Sequence, residues 1–307
     1  MEISSARKQP SVSCVLVNWN GWQDTVNCLD SLHQQDYPRL NVIVVDNGST
    51  NDSVERIRER HPWVKVLLTG KNLGFPSGCN VGTRAAYAAG ADYIWLLNND
   101  TAAPPDTATK LVNHALENPQ VGAVGGVLYY MHDPSQVQAW GGGEINLWTA
   151  FVRHFTAPAV FSKRTYLTGA CMLVPRSVCE KVGIFYEGFF MYCDDSDLCL
   201  RLHKAGFSLA VAEDTAILHK EGGSAPRQSP VIDEFATTST LRLLRRHAPL
   251  PWLSQFIYIA LRLGNRLRRG QASNFAAVLR GTRTFLRERN RNFNDQLAQT
   301  SGDMAIN

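Results

Sequence analysis

Polar side chains that can bind a metal ion or phosphate follow directly after three apolar runs of the chain. Asn18 ends the run 11–18, Asp46 follows the run 41–45, and the segment Asn98-Asn99-Asp100 follows the run 93–97. Carboxylate oxygens bind Mg²⁺ and Mn²⁺, and such a metal bridges the phosphate groups of a ligand. The alternative for residues 98–100 is an Asx turn that ends the strand, since Asn and Asp are favoured turn residues.

Three acids stand within four positions behind the apolar run Phe189 to Tyr192: Asp194, Asp195 and Asp197. Their mutual repulsion beside apolar residues predicts a raised pKa for at least one carboxyl group, which suits a general base. The alternative is structural, because acids in the first turn of a helix cap it and are stabilised by its dipole.

His219 and one small-residue loop are weaker candidates. His219 ends a short apolar run, and an imidazole together with a carboxylate is a suitable first shell for Mn²⁺. A lone histidine is also common as a surface or satisfied core residue. The loop NLGFPSGCN (72–80) opens a predicted helix, where backbone N–H groups can face phosphate. It is neither GxGxxG nor a P-loop, so by itself it favours no ligand class.

Strands and helices are predicted to alternate through the first 120 residues. Apolar runs predict strands over 11–18, 41–45, 64–68 and 93–97, and helical spacing predicts helices over 22–35, 53–59, 79–89 and 107–117. This alternation is typical of an α/β fold, Rossmann-like, with a mostly parallel central sheet and helices on both faces. Ligands bind such sheets beyond the carboxyl ends of the strands, where Asn18, Asp46 and Asp100 fall.

The rest of the chain is predicted to be less regular and to end in helices. Strands are predicted over 166–174, 207–211 and 216–219, and helices over 176–182 and 195–205, while 121–161 contains strands and a loop. Four segments follow from this pattern: a flexible N-terminus 1–10, an α/β domain 11–225, a basic helical region 226–290 and a disordered tail 291–307.

The charge distribution separates the C-terminal region from the α/β domain. A formal net charge of +4 on 307 residues is too small to indicate nucleic acid. Between Arg242 and Arg291, however, lie twelve arginines and a single acid, Glu288. Basic amphipathic helices favour contact with an anionic membrane surface, and packing on the α/β domain or a homodimer contact are the alternatives.

The lack of a recognisable secretory signal and the pattern of cysteines predict a cytoplasmic protein. The N-terminus shows no secretory signal, and no run reaches the roughly 18 apolar residues that span a bilayer. The seven cysteines form no CxxC pair, which favours reduced, buried thiols.

Five blocks in order resemble the family-2 glycosyltransferases with the GT-A fold, especially their bacterial rhamnosyltransferase-like branch. They are VLVNWNG (15–21), VVDNGSTNDS (44–53), NLGFPSGCNVG (72–82), WLLNND (95–100) and the pair TGACMLVPRSVCEKVGIF and FFMYCDDSDLCLRLHKAG (168–185 and 189–206). The resemblance runs from Ser11 to Gly223, roughly two-thirds of the chain, and rests on the order and spacing of the blocks.

The resemblance implies a nucleotide-sugar half over 11–120 and an acceptor half over 121–225. In the first half, Asp46 would contact the nucleobase, and the backbone near Val17, Asn18 and Trp19 would complete its slot. Asp100, in the place of the last acid of the family's DxD, would hold Mg²⁺ or Mn²⁺, and His219 would complete the metal shell. The other donor-side candidates are Asn72, Gly74, Asn98 and Asn99.

On the acceptor side, Asp195 matches the second acid of the family's E-D block and would deprotonate the acceptor hydroxyl. The other acceptor-side candidates are Asp194, Asp197, Tyr186 and Trp140. Three positions depart from the family pattern. Asn98 stands in place of the first Asp of the DxD motif, and Asp194 stands in place of the Glu that is common in the E-D block. Tyr186 stands where many relatives have the Asp of GGFDE.

The implied function is an inverting glycosyltransferase of polysaccharide biosynthesis in the cell envelope. It would move a sugar, L-rhamnose as the first expectation, from a nucleoside diphosphate to a hydroxyl of a glycan or lipid-linked acceptor, on the inner face of the membrane. Other classes are a non-catalytic nucleotide-sugar-binding protein, a nucleotidyltransferase and a dinucleotide-dependent oxidoreductase. The first strand runs into Asn18-Trp19-Asn20 and not into a glycine fingerprint or a basic glycine-rich loop, which argues against the last two.

Overall fold

A computed structural model describes residues 9–220 and 229–288 of the protein. The chain divides into two compact units. Among the described residues, the first unit holds 9–145, 152–187 and 194–220, and the second holds 146–151, 188–193 and 229–288. Most of the predicted flexible N-terminus, and all of the predicted tail 291–307, lie outside the described residues.

Strands and helices alternate through the first part of the first unit, as predicted. In chain order they are β1 (Val12–Asn18), α1 (Trp22–His33), β2 (Leu40–Asp46), α2 (Ser53–Arg60), β3 (Lys65–Leu68), α3 (Phe75–Ala88), β4 (Tyr93–Leu97), β5 (Thr101–Ala102) and α4 (Thr107–Glu117). The unit continues with β6 (Val121–Tyr130), β7 (Asp133–Trp140), β8 (Gly142–Ile145), β9 (Val152–His154), β10 (Thr165–Leu167), β11 (Cys171–Pro175), α5 (Arg176–Val182), α6 (Asp194–Lys204) and β12 (Ser208–His219).

The central sheet begins as a parallel sheet and gains antiparallel strands further along the chain. Its order is β3-β2-β1-β4-β11-β6-β12-β5, and β7 pairs with β6. Strand β1 is parallel to β2 and β4, and β2 is parallel to β3. Strand β11 is antiparallel to both β4 and β6, while β6 is parallel to β12. The carboxyl ends of β1, β2 and β4 therefore meet at one edge, where Asn18 lies opposite Asp46.

Two apolar clusters cover the two faces of this sheet. Leu29 of α1, Ile57 of α2 and Leu111 of α4 belong to one cluster. Cys79 of α3 and Leu198 of α6 belong to the other. Successive residues of β1 point into alternate clusters, so helices pack on both faces, as the sequence predicted. All seven cysteines are free thiols, and six are buried.

The predicted strand 166–174 is wrong, because the chain turns in its middle. Strand β10 pairs with β8 in a separate three-stranded sheet, whereas β11 joins the central sheet. Between them, the backbone N–H of Thr168 donates to the carbonyl of Gly141, and the N–H of Cys171 donates back to the carbonyl of Thr168. An apolar run gives no signal of this change of partner, since both short strands are buried.

Two other boundaries differ from the prediction. The predicted strands 207–211 and 216–219 form the single strand β12, with an irregularity between Ala212 and Ile217. Helix α3 begins at Phe75, four residues before its predicted start at Cys79. Gly74 precedes it at φ +87°, and Pro76 lies in its first turn, where a missing N–H costs nothing.

The second unit contains three long helices, α7 (Pro230–His247), α8 (Pro251–Arg268) and α9 (Ala272–Glu288). They agree with the helices expected within 226–290. Ser229 caps α7 by accepting a hydrogen bond from the N–H of Val231. In the part of the chain that the structure covers, no helix is long and apolar enough to cross a membrane.

Candidate active site

The carboxylate of Asp46 lies in a cradle of hydrogen-bond donors at the end of β2. Its Oδ1 accepts from the backbone N–H of Ser49 (2.9 Å). Its Oδ2 accepts from the Ser49 hydroxyl (2.6 Å) and from the Asn18 side-chain amide (2.8 Å). Asp46 and Asn18 are both buried, so these donors replace the hydrogen bonds of water. The structure thus brings together two of the residues that the sequence placed at strand ends.

A hydrogen-bond chain through the buried Thr25 joins this cradle to the end of β4. The hydroxyl of Thr25 donates to Oδ1 of Asn18 (2.9 Å), and Nδ2 of Asn99 donates to the same hydroxyl (2.8 Å). Thr25 lies on α1 and is fully buried. It therefore fixes the position of segment 98–100 relative to Asp46. This role of Thr25 was not predicted, because it arises from the packing of α1 on the sheet.

Asn47 ties the end of β2 to the loop that precedes α3. Its Oδ1 accepts from the N–H of Leu73 (3.1 Å), and its Nδ2 donates to the carbonyl of Gly74 (3.0 Å) and to Oδ1 of Asn72 (3.2 Å). Oδ1 of Asn72 also accepts from the N–H of Gly74 (2.9 Å). The predicted donor-side residues Asn72 and Gly74 therefore lie beside the Asp46 cradle. Asn47 was not predicted, although it stands next to Asp46 in the sequence.

Trp19 follows β1 at the rim of the same edge, and its indole is exposed. Val17, one of the predicted slot residues, is half-buried on β1. Asn20, which follows Trp19, has a left-handed backbone (φ +56°), and its N–H donates to the hydroxyl of Ser49 (2.8 Å). The segment after β1 is thus attached to the segment after β2 by a second contact.

Asp100 and His219 meet because β12 pairs with β5 directly after segment 98–100. His219 is paired with Thr101 in that ladder. Nε2 of His219 lies 3.2 Å from Oδ1 of Asp100 and 3.3 Å from Nδ2 of Asn98. Among the described residues, no group of three or more His, Cys, Asp and Glu side chains converges on one point. This pair therefore offers two protein ligands.

Gln138 on β7 orients the imidazole of His219. Its Oε1 accepts a hydrogen bond from Nδ1 at 2.7 Å. A histidine that donates through Nδ1 presents the lone pair of Nε2, the form that binds metals. Nε2 and Oδ1 of Asp100 lie 3.2 Å apart, close enough for one metal ion to bind both atoms. A carboxylate oxygen and an imidazole nitrogen so placed would fit a divalent metal such as Mn²⁺, with the remaining ligands supplied from outside these two side chains.

Asp195, at the start of α6, is held by the turn between β10 and β11. Its Oδ2 accepts from the N–H of Gly169 (3.2 Å), and its Oδ1 accepts from the N–H of Ser196 (2.6 Å). The next residue of the turn, Ala170, accepts a hydrogen bond from the N–H of Asn98 (3.0 Å). The Gly169-Ala170 turn therefore contacts both Asp195 and the segment that carries Asp100.

Asp194 and Asp195 differ in how they ionise. Burial raises the pKa of Asp194 well above its ordinary range, and the negative charge of Asp195 raises it further. Burial also raises the pKa of Asp195, whereas hydrogen bonds from Gly169 and Ser196 oppose the rise. Asp194 is the more buried of the two. Burial and the neighbouring charge thus favour the protonated form of Asp194, whereas Asp195 is the partly exposed carboxyl that can accept a proton.

Asp197 has a different environment, in which its charge is balanced. It is fully buried, and Oδ2 accepts from Nε of Arg201 at 2.8 Å. The same guanidinium donates to the carbonyls of Val182 (2.7 Å), Gly183 (3.2 Å) and Ile184. This placement favours the structural alternative for Asp197, an anchor for the segment after α5.

The remaining acceptor-side candidates lie on two other segments. Tyr186 lies between two residues that are hydrogen-bonded to Asn80 of α3. Nδ2 of Asn80 donates to the carbonyl of Phe185 (2.8 Å) and to the carboxylate of Glu187 (2.9 Å). Trp140 ends β7, and its buried indole N–H has no hydrogen-bond partner among the described residues. An unpaired buried donor is costly, which makes Trp140 a candidate to bind a ligand oxygen.

Sequence comparison gives one family and several relatives. The family described as "Glycosyl transferase family 2" matches residues 13–183. An N-acetylglucosaminyl-diphospho-decaprenol L-rhamnosyltransferase of Mycobacterium tuberculosis is 29% identical over 242 residues, which cover 69% of this chain and 79% of the relative. The dTDP-rhamnosyl transferase RfbF of Shigella flexneri is 23% identical over 250 residues, or 78% of this chain and 82% of the relative.

Solved structures are similar in fold at low sequence identity. The mannosyltransferase PcManGT from Pyrobaculum calidifontis, in complex with GDP-Man and Mn²⁺, has a TM-score of 0.55 and 18% identity, with 97% of this chain and 81% of that chain covered. Residues 1–349 of TarS from S. aureus, in complex with UDP-GlcNAc, have a TM-score of 0.55 and 16% identity, with 81% and 71% covered. The predicted GT-A fold is thereby confirmed.

Proposed function

This chain belongs to glycosyl transferase family 2, and from that membership we propose that it transfers a sugar from a nucleoside diphosphate to an acceptor hydroxyl with inversion. The observation that carries the proposal is the Gly169-Ala170 turn, which contacts both Asp195 and the N–H of Asn98. A single displacement needs a base on one side of the sugar and a diphosphate site on the other. A single turn that contacts both segments suits that requirement.

The donor nucleoside is proposed to bind at the carboxyl edge formed by β1 and β2. Asp46 and Ser49 supply an ordered polar group there, and the exposed indole of Trp19 supplies an apolar surface. Asn18 is buried and bonded to Asp46 and Thr25, so its proposed part is to hold Asp46. The N–H groups of Leu73 and Gly74 already donate to Asn47 and Asn72, which favours a supporting role for the loop 72–74.

Asp100 and His219 are the residues proposed to hold a divalent metal. When bound there, the metal would offset the negative charge that develops on the departing diphosphate. Lys220 follows His219, and its positive charge is paired with a carboxylate at this edge. Its ammonium group contacts Asp24 at 2.8 Å, and its N–H donates to the carbonyl of Asp100 (3.0 Å).

Asp195 is proposed as the base that takes the proton of the acceptor hydroxyl. Its partly exposed carboxylate, oriented by Gly169 and Ser196, has a raised pKa, and a stronger base removes a hydroxyl proton more readily. The hydroxyl oxygen then attacks the anomeric carbon as the bond to the diphosphate breaks. The product carries the inverted configuration, and the proton remains on Asp195 until the products leave.

The donor sugar and acceptor are proposed from the relatives. Two relatives are named as rhamnosyltransferases, one of them acting on a decaprenol-linked substrate. These names support a deoxythymidine-diphosphate-L-rhamnose donor and a lipid-linked glycan acceptor in polysaccharide synthesis. Tyr186 and the unpaired indole N–H of Trp140 are the proposed acceptor-side contacts.

A calorimetric titration with UDP, dTDP and GDP, with and without Mn²⁺, tests the donor site. We expect dTDP to bind most tightly, and Mn²⁺ to strengthen binding in the wild type but not in Asp100→Ala. Asp30→Asn, at an exposed carboxylate on α1, is the matched control and should bind as wild type does. Equal binding of dTDP to Asp100→Ala and wild type in the presence of Mn²⁺ would contradict the proposed metal site.

A turnover assay separates the transferase from a non-catalytic sugar-nucleotide-binding protein. Wild-type protein is incubated with dTDP-L-rhamnose and a polyprenyl-diphosphate-linked N-acetylglucosamine, and the glycolipid is analysed by mass spectrometry. A product heavier by one deoxyhexose is the expected result, and NMR of its anomeric carbon tests inversion. Tight dTDP binding without release of dTDP from the sugar nucleotide would favour the binding protein.

A further inference from the structure

Helix α8 exposes apolar side chains where a globular protein usually exposes charged ones. Trp252, Phe256 and Leu267 are 68%, 68% and 73% exposed. The exposed residues of this helix are Trp252, Phe256, Ala260, Leu261, Gly264, Leu267 and Arg268. At 100° per residue, those at 252, 256, 260, 264 and 267 lie within about 120° of the helix circumference. A contiguous apolar stripe of this kind marks a contact surface.

Two arginines of α8, Arg262 and Arg266, are turned inward by a buried carboxylate on α7. Asp233 is buried, and its Oδ1 accepts from Nη2 of Arg262 (2.7 Å) and of Arg266 (2.6 Å). Its Oδ2 accepts from the side-chain amide of Asn274 on α9 (2.8 Å). These contacts fix the rotation of α8 about its axis. The packing of the three helices therefore holds the apolar stripe of α8 on the outside.

Helix α9 exposes leucines and arginines together. Leu279 and Leu286 are exposed and lie seven residues apart. Arg283 lies four residues after Leu279 and three before Leu286, and Arg287 lies four residues after Arg283, so both arginines stand on the same side of the helix as the leucines. None of the exposed residues of α8 and α9 is acidic. The exposed faces of both helices thus combine apolar side chains with positive charge.

We infer that the exposed faces of α8 and α9 bind the surface of an anionic lipid bilayer. The α8–α9 surface consists of Trp252, Phe256, Leu267, Leu279 and Leu286 with Arg268, Arg283 and Arg287. Tryptophan and leucine side chains enter the boundary between headgroups and acyl chains, and arginines attract anionic headgroups. A second copy of this chain complements the surface less well, because a symmetric contact would bring like charges together. The inference rests on the second unit alone and is independent of the proposed transfer reaction.

Co-sedimentation of the full chain with lipid vesicles tests the inference. Vesicles of phosphatidylcholine alone are compared with vesicles that also contain phosphatidylglycerol. Wild type is expected to bind the anionic vesicles at least about tenfold more tightly, since each arginine near an anionic surface contributes roughly fivefold. The triple variant Trp252→Ser, Phe256→Ser, Leu267→Ser should lose most of this binding, and Arg283→Gln with Arg287→Gln should lose the preference for anionic lipid.

The matched control removes three exposed apolar side chains from the first unit: Leu68→Ser, Leu116→Ser and Val160→Ser. It should bind vesicles as wild type does, and an unchanged circular dichroism spectrum shows that each variant is folded. Absence of wild-type binding to anionic vesicles would overturn the inference, as would equal binding by the α8 triple variant. A dimer in analytical ultracentrifugation that the triple variant converts to monomer, without vesicle binding, would assign the surface to a second copy instead.

Discussion

Nδ1 of His219 lies 2.7 Å from the side-chain carbonyl oxygen of Gln138. The contact selects the tautomer that presents Nε2 toward Asp100, 3.2 Å away. Gln138 is thus a positioning residue for the proposed metal site, although it would not touch the metal. Partners of this kind fix the ring orientation of a ligating histidine and raise its affinity for the metal.

Replacing Gln138 tests that role. Gln138→Leu should weaken Mn²⁺ binding by about 10–100-fold, because the imidazole loses its orienting acceptor. Gln138→Glu retains an acceptor and should bind Mn²⁺ at least as well as wild type. Both are measured by the electron paramagnetic resonance signal of free Mn²⁺ in the presence of dTDP. Gln136→Leu, on the same strand but bonded to Asp133, is the control, and equal losses in Leu and Glu variants at 138 would refute the acceptor role.

The neighbouring acids of α6 should respond differently to amidation. Asp195→Asn removes the proposed base and should lower kcat by about 10²–10⁴-fold, with dTDP affinity unchanged. Asp194→Asn imitates the protonated form that burial already favours, so its kcat should fall less than about tenfold, or 1.4 kcal/mol. Single-turnover transfer rates measure both. The reverse order of the two losses would move the role of base to Asp194.

Asp194 also predicts a dependence of stability on pH. A carboxyl whose pKa is raised in the folded protein lowers the free energy of unfolding as pH rises above its unfolded value, about 3.9. Asp194→Asn removes that penalty. Its advantage over wild type in urea unfolding should therefore be absent below pH ~3.9, grow by about 1.4 kcal/mol per pH unit above that value, and stay constant above the folded pKa. A difference independent of pH would show that Asp194 is ionised in the folded protein.

The sequence predicts those parts of the site that depend on local pattern and strand order. Asp46 and Asp100 were expected at one edge because both follow parallel strands, and the pairing of β1 with β2 and β4 brings those ends together. A raised pKa for at least one of the three acids was expected from their crowding beside an apolar run; the pKa is raised at Asp194 and Asp195, and burial is the largest cause.

Other parts of the site depend on contacts between distant segments. Gln138 and Thr25 stand in ordinary strand and helix positions, and only the packing of β7 and α1 turns them toward His219 and Asn18. The Gly169-Ala170 turn lies inside an apolar run that predicts a continuous strand. Short buried strands in two different sheets have the same apolar composition as one long strand, so composition alone cannot separate them.

Thr25 provides a test of the link between the ends of β1 and β4. Thr25→Val keeps the side-chain volume but leaves Oδ1 of Asn18 without its donor, which costs about 1–3 kcal/mol in a buried site. It should also weaken dTDP binding, because Asn18 holds Asp46. The matched control is Thr83→Val on α3, another fully buried threonine, whose hydroxyl donates only to a helical carbonyl of Cys79. Urea unfolding and calorimetry should show a clear loss of stability and of dTDP affinity for Thr25→Val, and only a small loss for Thr83→Val.

Gly48 stands between Asn47 and the Ser49 that binds Asp46, at φ +78°. A Cβ atom at this position would lie 2.4 Å from the backbone carbonyl carbon of Lys71, so alanine must displace the chain there. Gly90 has nearly the same backbone (φ +77°) with open space around it. Gly90→Ala should therefore lower the free energy of unfolding by only about 1–2 kcal/mol, the cost of holding alanine in the left-handed conformation. Gly48→Ala adds a steric cost of about 1–3 kcal/mol and should weaken dTDP binding, whereas equal losses of stability would mean that the approach of residue 71 has no energetic consequence.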